Sequence, residues 1–245
     1  MPRILVVGAT PGEVDRVAGA LGRPQELRAG PWAVRTGTLG ALDVGVVVSG
    51  VGKTNTGLAL GCVLRAWPCA AVISVGVGGA YPGTGLAPGS VAVATSEVYG
   101  DEGAETGAGL RGLRTLGLAL WTAAGEPRFE EFPVDRALAS ALVEAAPGAV
   151  RVAAGPFVTV STVTGSAERA LRLRRRHRAV CETMEGAAAA HGALAFGARF
   201  AEVRGISNPV GPRDRRNWRI PEAARLAQDT LIRLLESGWP EEDAR

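Results

Sequence analysis

The chain has 245 residues, of which 47% are hydrophobic and 21% are charged. This is the composition of a globular protein, and no apolar stretch reaches the roughly 18 residues that a membrane span requires, so we expect a soluble protein with no membrane partner. The net charge of +3 is too small to predict nucleic-acid binding, although the isoelectric point is about 9.1.

The first residues and the cysteines indicate the compartment. The amino terminus leads directly into an apolar run at residues 4–7 and lacks the cleavage-site pattern of a signal peptide, so we expect a cytoplasmic protein. Cys62, Cys69 and Cys181 form neither a CxxC pair nor an even disulfide framework. With only two histidines available, a structural zinc site is not expected.

Apolar runs typical of strands alternate along the chain with longer stretches of helical character. The strand runs are residues 4–7, 44–48, 71–75, 91–94, 158–160 and 200–203. The helical stretches are residues 12–21, 54–66, 135–145, 167–176, 184–196 and 221–236. This alternation predicts an α/β fold with a central sheet covered by helices. A single α/β domain of this length is ordinary, so we interpret residues 1–245 as one domain.

One stretch, residues 100–117, is rich in glycine and has no steady periodicity. Such a segment is typical of a loop or a covering flap. It is too short to be a linker between two domains.

Two glycine-rich turns resemble nucleotide-binding motifs, but neither completes one. The turn at residues 50–54 ends like a P-loop, yet Val47 stands where that motif requires its first glycine. The turn at residues 76–79 would need a glycine at Tyr81 to form a dinucleotide fingerprint. Each turn follows an apolar strand, so its main chain could approach a small ligand closely. A tight turn with no role in binding would explain the glycines equally well.

Four separated segments together resemble the nucleoside phosphorylase and nucleosidase superfamily, in particular its hydrolytic branch of methylthioadenosine/S-adenosylhomocysteine nucleosidases. They are GATPGEV at 8–14, SGVGK at 49–53, GVGG at 76–79, and the stretch from ETMEG at 182–186 to RGISN at 204–208. The resemblance implies a nucleoside phosphorylase-like fold, a three-layer α/β/α sandwich with a central mixed sheet. It implies no metal or organic cofactor. It also implies a homo-oligomer, at least a dimer, in which residues 100–117 could help a neighbouring subunit to close the pocket.

Glu13 matches the acidic residue that activates the attacking water in this superfamily. A carboxylate suits that role, because water must lose a proton as it attacks an oxocarbenium-like anomeric carbon. Without the resemblance, a glutamate that opens a helix would be interpreted as a partner of the helix dipole.

Met184 and Glu185 match the family pair that holds the sugar. The methionine packs against the ribose, and the glutamate accepts hydrogen bonds from the 2′- and 3′-hydroxyls. A buried carboxylate can accept both hydroxyl protons and stabilise positive charge that develops on the ring.

Asn208 departs from the adenine-specific relatives, which carry aspartate after the Ile-Ser pair. A carboxylic acid can protonate N7 of adenine and accept from its 6-amino group, whereas a 6-oxopurine presents an acceptor oxygen beside N7. The asparagine amide can donate to that oxygen and accept from a protonated N7. We therefore expect hypoxanthine or guanine as the base.

Further substrate contacts are implied by the same resemblance. They are Val51, Val77, Gly78, Thr162, Val163, Thr183, Arg204, Ser207 and Trp218. Thr162 and Val163 fall where the adenine-specific relatives place an aromatic and an aliphatic wall against the base. Trp218 lies about where those relatives carry another pocket aromatic, although a tryptophan beside a surface loop can also be a packing anchor.

The stretch at residues 204–218 resembles futalosine hydrolases of menaquinone synthesis. Those enzymes release hypoxanthine from futalosine, in agreement with Asn208. Futalosine also carries an aryl carboxylate on its 5′ extension, and Arg213, Arg215 and Arg216 could bind it. A solvated basic loop would explain the three arginines as well.

Three alternatives remain open. An adenine-releasing nucleosidase is disfavoured by Asn208. A 6-oxopurine nucleoside phosphorylase would bind phosphate, which an acidic Glu13 repels, although Arg28 and Arg35 are near enough in sequence to matter. A nucleoside-binding sensor on the same scaffold would need no water-activating carboxylate, so Glu13 and Glu185 together favour an enzyme.

Overall fold

The computed structural model describes residues 1–107, 109–123 and 125–240. Its strands are β1 (Arg3–Gly8), β2 (Gly22–Ala29), β3 (Trp32–Leu39), β4 (Leu42–Val48), β5 (Ala71–Ala80), β6 (Val91–Tyr99), β7 (Ala104–Thr106), β8 (Gly109–Arg111), β9 (Trp121–Ala123), β10 (Glu126–Arg128), β11 (Glu131–Pro133), β12 (Val152–Thr159), β13 (Cys181–Thr183) and β14 (Arg199–Pro209). Its α-helices are α1 (Asp15–Ala20), α2 (Lys53–Ala66), α3 (Leu113–Leu116), α4 (Arg136–Ala145), α5 (Ala167–His177), α6 (Gly186–Ala195) and α7 (Ile220–Ser237).

The main sheet is mixed and has ten strands, in the order β11-β6-β12-β13-β5-β1-β4-β3-β2 with β14 attached to β5 and β6. Strands β4, β1, β5 and β14 run parallel to one another. Because β14 pairs with both β5 and β6, the strands β5, β13, β12, β6 and β14 close into a ring. The carboxyl ends of the parallel strands therefore meet at one edge, where ligands bind in open α/β sheets.

Helices form two groups on the sheet. Helices α1 and α4 both contact α7, which packs on β14 and β5, while α2 contacts α6, which packs on β14, β12, β5 and β6. This arrangement confirms the three-layer α/β/α sandwich with a central mixed sheet. Among the described residues, no helix is both long enough and apolar enough to cross a membrane.

The centre of the sheet is apolar on both faces. Ile4, Leu5 and Val6 on β1 and Val72 and Ile73 on β5 are fully buried, as expected for parallel strands covered by helices. Burial of each such side chain contributes about 1.5–3 kcal/mol. Residues 187–190 of α6 are all alanine and all buried, so this helix packs closely on the sheet.

Two sequence expectations about local structure were wrong. Residues 12–21 do not form one helix, because Val14 has φ −133° and separates a 3-10 turn, Pro11–Glu13, from α1. Residues 76–79 do not form a turn after a strand, since β5 continues through them to Ala80. Residues 100–117, expected to be a loop or a covering flap, contain the β7–β8 hairpin and α3. The interpretation of residues 1–245 as one domain stays a prediction, with which the shared ten-stranded sheet agrees.

Candidate active site

A cavity of about 680 Å³ opens where β1, β5, β13 and β14 end. All the residues expected to be catalytic line it, namely Glu13, Glu185 and Asn208. Other lining residues expected to bind substrate are Val51, Val77, Gly78, Val163, Thr183, Met184, Ser207 and Trp218. The structure therefore brings together segments from both ends of the chain.

Glu13 is buried and held by both of its carboxylate oxygens. Its Oε2 accepts hydrogen bonds from the backbone N–H of Thr10 at 3.0 Å and from the Thr10 hydroxyl at 2.9 Å, which caps the 3-10 turn. Its Oε1 accepts from the backbone N–H of Val77 at 2.9 Å, at the end of β5. Glu13 thus makes a local cap and also faces the cavity from a fixed position.

Glu185 lies just before α6, as its N-cap residue, and is also buried. Its Oε1 accepts from the backbone N–H of Gly52 at 2.8 Å, directly before α2. Gly52 has φ +93°, a conformation that favours glycine. Burial raises the pKa of Glu185 above its usual value, while the Arg204 charge and the Gly52 hydrogen bond lower it in part.

Arg204 is fully buried and lies behind the cavity wall instead of lining it. Its Nη1 is 3.8 Å from Glu13 Oε1 and 3.7 Å from Glu185 Oε2. Its other donors are taken, because Nε bonds Glu202 at 2.6 Å and Nη2 bonds Ser74 at 3.0 Å. The structure therefore places Arg204 against Glu13 and Glu185, behind the cavity wall.

Ser207 and Asn208 form the opposite wall from β14. The Ser207 hydroxyl donates to Asn208 Oδ1 at 2.7 Å, and Asn208 Nδ2 donates to the Pro209 carbonyl at 2.9 Å. An amide nitrogen has two N–H groups and an amide oxygen has two lone pairs. Asn208 therefore keeps one donor and one acceptor for a ligand.

The wall expected to face the base is fixed by a residue that the sequence analysis missed. Glu182 lines the cavity and accepts from the Thr164 backbone N–H at 2.9 Å, from the Thr164 hydroxyl at 2.5 Å and from the Tyr81 hydroxyl at 2.8 Å. These bonds hold Thr164 and its neighbour Val163 at the cavity. The signal was available, because Glu182 opens the segment ETMEG at 182–186 and lies two residues before Met184.

Thr162 is exposed and lies outside the cavity wall. Its backbone N–H faces Asp101 Oδ2 at 3.3 Å, next to a 2.6 Å bond from the Ser161 N–H. The other oxygen of Asp101 binds Lys53 Nζ at 2.8 Å. Asp101 therefore links the loop at Thr162 to the start of α2, which explains why the Thr162 backbone points away from the cavity.

The three arginines of the β14–α7 connection differ in their surroundings. Arg213 lines the cavity, and its guanidinium lies 4.8 Å from the centre of the Trp218 ring. Arg215 also lies over Trp218, at 5.6 Å, and Arg216 forms a two-pronged ion pair with Asp214. Of the three, only Arg213 is placed to meet a ligand in the cavity.

Helix α7 supplies a wall that sequence patterns did not identify. The additional lining residues from this helix are Ile220, Pro221, Ala224, Arg225 and Gln228. Gln228 accepts from the Arg16 backbone N–H at 2.9 Å and donates to the Gly12 carbonyl at 3.0 Å, so it fixes the turn that carries Glu13. Periodicity shows which face of a helix is buried but not which loop that face meets.

Acidic and basic residues both line the cavity, and the acidic ones include Glu13 and Glu185. An anion placed beside Glu13 and Glu185 would be repelled. The other charged residues of the lining are Asp15, Arg16, Glu182, Arg213 and Arg225. Arg28 and Arg35, the cations considered for phosphate, are exposed and do not line the cavity. The part of the cavity around Glu13, Glu185 and Asn208 can therefore bind a polar neutral group between acidic residues and a carboxamide.

Comparisons with known proteins agree with this geometry. The sequence profile of the family described as "Phosphorylase superfamily" matches residues 3–237. The chain is 38% identical to the futalosine hydrolase of Streptomyces coelicolor, over 98% of this chain and 99% of that protein. It is also 38% identical to the futalosine hydrolase of Thermus thermophilus, over 76% of this chain and 79% of that protein.

Among solved structures, the chain is similar to the 5′-methylthioadenosine/S-adenosylhomocysteine nucleosidase of Neisseria meningitidis in complex with methylthio-immucillin-A. The TM-score is 0.82 at 21% identity, covering 97% of this chain and all of that one, which supports the fold. The profile match and the two relatives together identify the family. The chain belongs to the phosphorylase superfamily and, within it, to the family of futalosine hydrolases.

Proposed function

We propose that this chain hydrolyses the N-glycosidic bond of futalosine, releasing hypoxanthine and dehypoxanthine futalosine in menaquinone biosynthesis. The observation that carries the proposal is the joint placement of Glu13, Glu185 and Asn208 on one cavity. The relatives named futalosine hydrolase support the choice of substrate.

In the proposed reaction, Glu13 acts as the general base. Water attacks the anomeric carbon and gives a proton to Glu13, while the bond from that carbon to the purine breaks and its electron pair leaves with the base. The proton taken by Glu13 passes to solvent, and the purine anion takes up a proton at N7 from solvent. The net result adds hydroxide to the sugar and a proton to the purine. The three hydrogen bonds from Thr10 and Val77 hold the Glu13 carboxylate in a fixed orientation for this step.

Glu185 and its neighbours hold the ribose. Its Oε2 is free of the Gly52 bond and can accept from the 2′- and 3′-hydroxyls, which also stabilises positive charge on the ring. Met184 and Thr183 lie beside it on the cavity, and Val51, Val77 and Gly78 complete the wall.

Asn208 receives the departing base. Its remaining N–H can donate to the 6-oxo group, and its Oδ1 can accept from N7 once that nitrogen carries a proton. A 6-aminopurine would place a donor against the Asn208 donor. This mismatch supports a 6-oxopurine substrate over methylthioadenosine.

Arg213 is the residue that we propose for the carboxylate on the 5′ extension. The other arginines of the cavity, Arg16 and Arg225, both bind Asp229 at 2.7 and 3.0 Å. Arg213 forms no ion pair with any residue that the structure describes, and Trp218 beneath it offers a flat apolar surface for an aryl group.

Phosphorolysis and simple binding are less well supported. The placement of Glu13 and Glu185 on the cavity and the outward placement of Arg28 and Arg35 disfavour phosphate. A sensor would not need a base at Glu13. No metal or cofactor takes part in the proposed reaction.

We also propose that the enzyme is a cytoplasmic homo-oligomer, at least a dimer. Val51 on the cavity rim and Leu58 on α2 are more than half exposed, at 51% and 57%, which a neighbouring subunit would cover. The three cysteines are free thiols, as is usual in a reducing compartment.

The proposal is tested by incubating the purified protein with futalosine, inosine and methylthioadenosine in parallel and separating the free bases by chromatography. Hypoxanthine released efficiently from futalosine is the expected result. Adenine from methylthioadenosine as the main product would overturn the reading of Asn208 while leaving Glu13 in place.

A further inference from the structure

Two acidic residues, Glu97 on β6 and Glu202 on β14, lie behind the cavity. Both are fully buried and neither lines the cavity, so neither touches the substrate. Glu97 Oε2 accepts from the Thr159 hydroxyl at 3.2 Å, and Glu202 Oε1 accepts from Arg204 Nε at 2.6 Å. The remaining oxygens, Glu97 Oε1 and Glu202 Oε2, have no hydrogen-bond partner within the described part of the chain.

The two carboxyl groups converge over Gly186, the first residue of α6. A Cβ at this position would collide with Glu202 Oε2 and with both oxygens of Glu97. Two ionised carboxylates that share a buried site repel each other strongly, whereas a single proton between them replaces the repulsion with a hydrogen bond. The unpartnered oxygens lie where that proton would be held.

We propose that Glu97 and Glu202 share one proton, carried by Glu97, and that this acid–carboxylate pair positions Arg204 between Glu13 and Glu185. Both acidic residues are thus positioning residues of the active site. The effect on catalysis rests on the proposed function, whereas the shared proton does not.

The charges around the pair require such a proton. Arg204 is a single buried cation that faces three carboxylates, those of Glu202, Glu185 and Glu13. Burial, followed by the Glu202 charge, raises the pKa of Glu97 well above its usual range. The charge of Glu97 also acts on two other buried titratable groups, Cys181 and Tyr99. Burial raises the pKa of each.

The protonated pair fixes the orientation of the guanidinium. Glu202 uses one oxygen to bind Arg204 Nε and the other to accept the Glu97 proton, so the Glu202 carboxylate cannot rotate. Arg204 Nη2 bonds Ser74, and Nη1 lies 3.3 Å from the Val77 carbonyl. Nη1 is thereby held at similar distances from Glu13 and Glu185. Loss of the Glu97 donor would free Glu202 to turn and would release Arg204.

Two substitutions of Glu97 distinguish the effect of its hydrogen-bond donor from the effect of its side-chain volume. Glu97→Gln keeps a neutral side chain that can donate to Glu202, whereas Glu97→Met has a similar length and no donor. We expect kcat of E97Q on futalosine to stay within about twofold of wild type and kcat of E97M to fall about tenfold or more, with KM nearly unchanged. Thermal unfolding of both variants checks that they are folded. Equal loss in both, or in neither, would overturn the positioning role.

Infrared spectroscopy tests the proton without any activity. A wild-type minus E97Q difference spectrum at neutral pH should show the C=O band of a protonated carboxylic acid. A carboxylate band in its place would overturn the shared proton, even if E97M failed to fold. If the wild type released no base from futalosine, the proposed function would fail while the infrared band would still decide the protonation of Glu97.

Discussion

Arg204 Nη1 lies 3.8 Å from Glu13 Oε1, so residues near opposite ends of the chain meet behind the cavity. Their contact depends on a glycine, because a Cβ at Gly76 would collide with both Glu13 Oε1 and Arg204 Nη1. Strand β5 therefore has no side chain at Gly76, where Glu13 and Arg204 come together. This explains why β5 needs glycine at position 76 without forming a nucleotide-binding motif.

Replacement of Glu13 by glutamine should abolish most of the activity. The amide cannot take the proton from water, so we expect kcat on futalosine to fall about 100-fold or more while KM changes little. Glu222→Gln makes the same chemical change on α7, where the side chain is half-buried, lies outside the cavity lining and pairs with Arg219, and it should retain wild-type rates. Steady-state kinetics of both variants with futalosine test this expectation. A fully active E13Q would show that Glu13 is not the general base.

Gly76→Ala should damage the site through sterics alone. The added methyl group must displace Glu13 or Arg204, and such overpacking costs about 1–3 kcal/mol. We expect a lower melting temperature and a loss of kcat. The matched control is Gly57→Ala on α2, where a Cβ meets nothing within 4 Å and the helix should be slightly stabilised. Calorimetry should therefore show a lower melting temperature for G76A and a slightly higher one for G57A, and kinetics should show a loss of kcat only for G76A.

Asn208→Asp should shift the preference of the enzyme between bases. The carboxylic acid can protonate N7 and accept from a 6-amino group, so hydrolysis of methylthioadenosine should rise. For futalosine we expect kcat/KM to drop about 10- to 100-fold, because the donor to the 6-oxo group is lost. Asn208→Ala should lower the rate on both substrates. An aspartate variant that behaved like the alanine variant would contradict the role of this side chain.

The acidic limb of the pH profile should report Glu185. Burial raises its pKa above the usual glutamate value of 4.5, and only the ionised form can accept from both ribose hydroxyls. As the pH falls through this raised pKa, Glu185 gains a proton and kcat/KM should decline. A profile that stayed flat down to pH 4.5 would show that Glu185 keeps its charge or is not required.

Arg213→Gln should discriminate between substrates with and without the 5′ carboxylate. Loss of a charge-assisted bond is worth about tenfold in affinity, so KM for futalosine should rise by about that factor. Inosine lacks the 5′ extension and should be unaffected. Arg216→Gln removes a nearby arginine that is already bound to Asp214, and neither substrate should sense it. An equal effect of R213Q on both substrates would mean that Arg213 acts on the base or on the fold.

The part of the fold that sequence patterns predicted is the part with strong apolar runs. Strands β1, β4 and β5 were recognised because buried parallel strands are continuously hydrophobic. The hairpin of β2 and β3 was missed, since β2 is an exposed edge strand with almost no buried side chain. Pairing with β3, and not hydrophobicity, makes it a strand.

Site residues could be predicted from sequence where they lie in segments that resemble the superfamily and follow strongly apolar strands. Glu13, Glu185 and Asn208 were identified in this way and do share a cavity. The contribution of α7 depends on tertiary packing that no local pattern encodes. Glu202 and Glu97 each left a signal, as the lone acidic residue of β14 and of β6, but only the structure shows that the two meet.

In the proposed mechanism, water activated at Glu13 attacks the sugar. The most direct measurement is a reaction of futalosine in ¹⁸O-labelled water with inorganic phosphate present, followed by mass spectrometry of both products. We expect free hypoxanthine without label and a sugar product that carries one ¹⁸O and no phosphate. A sugar 1-phosphate, or no release of hypoxanthine at all, would contradict the mechanism.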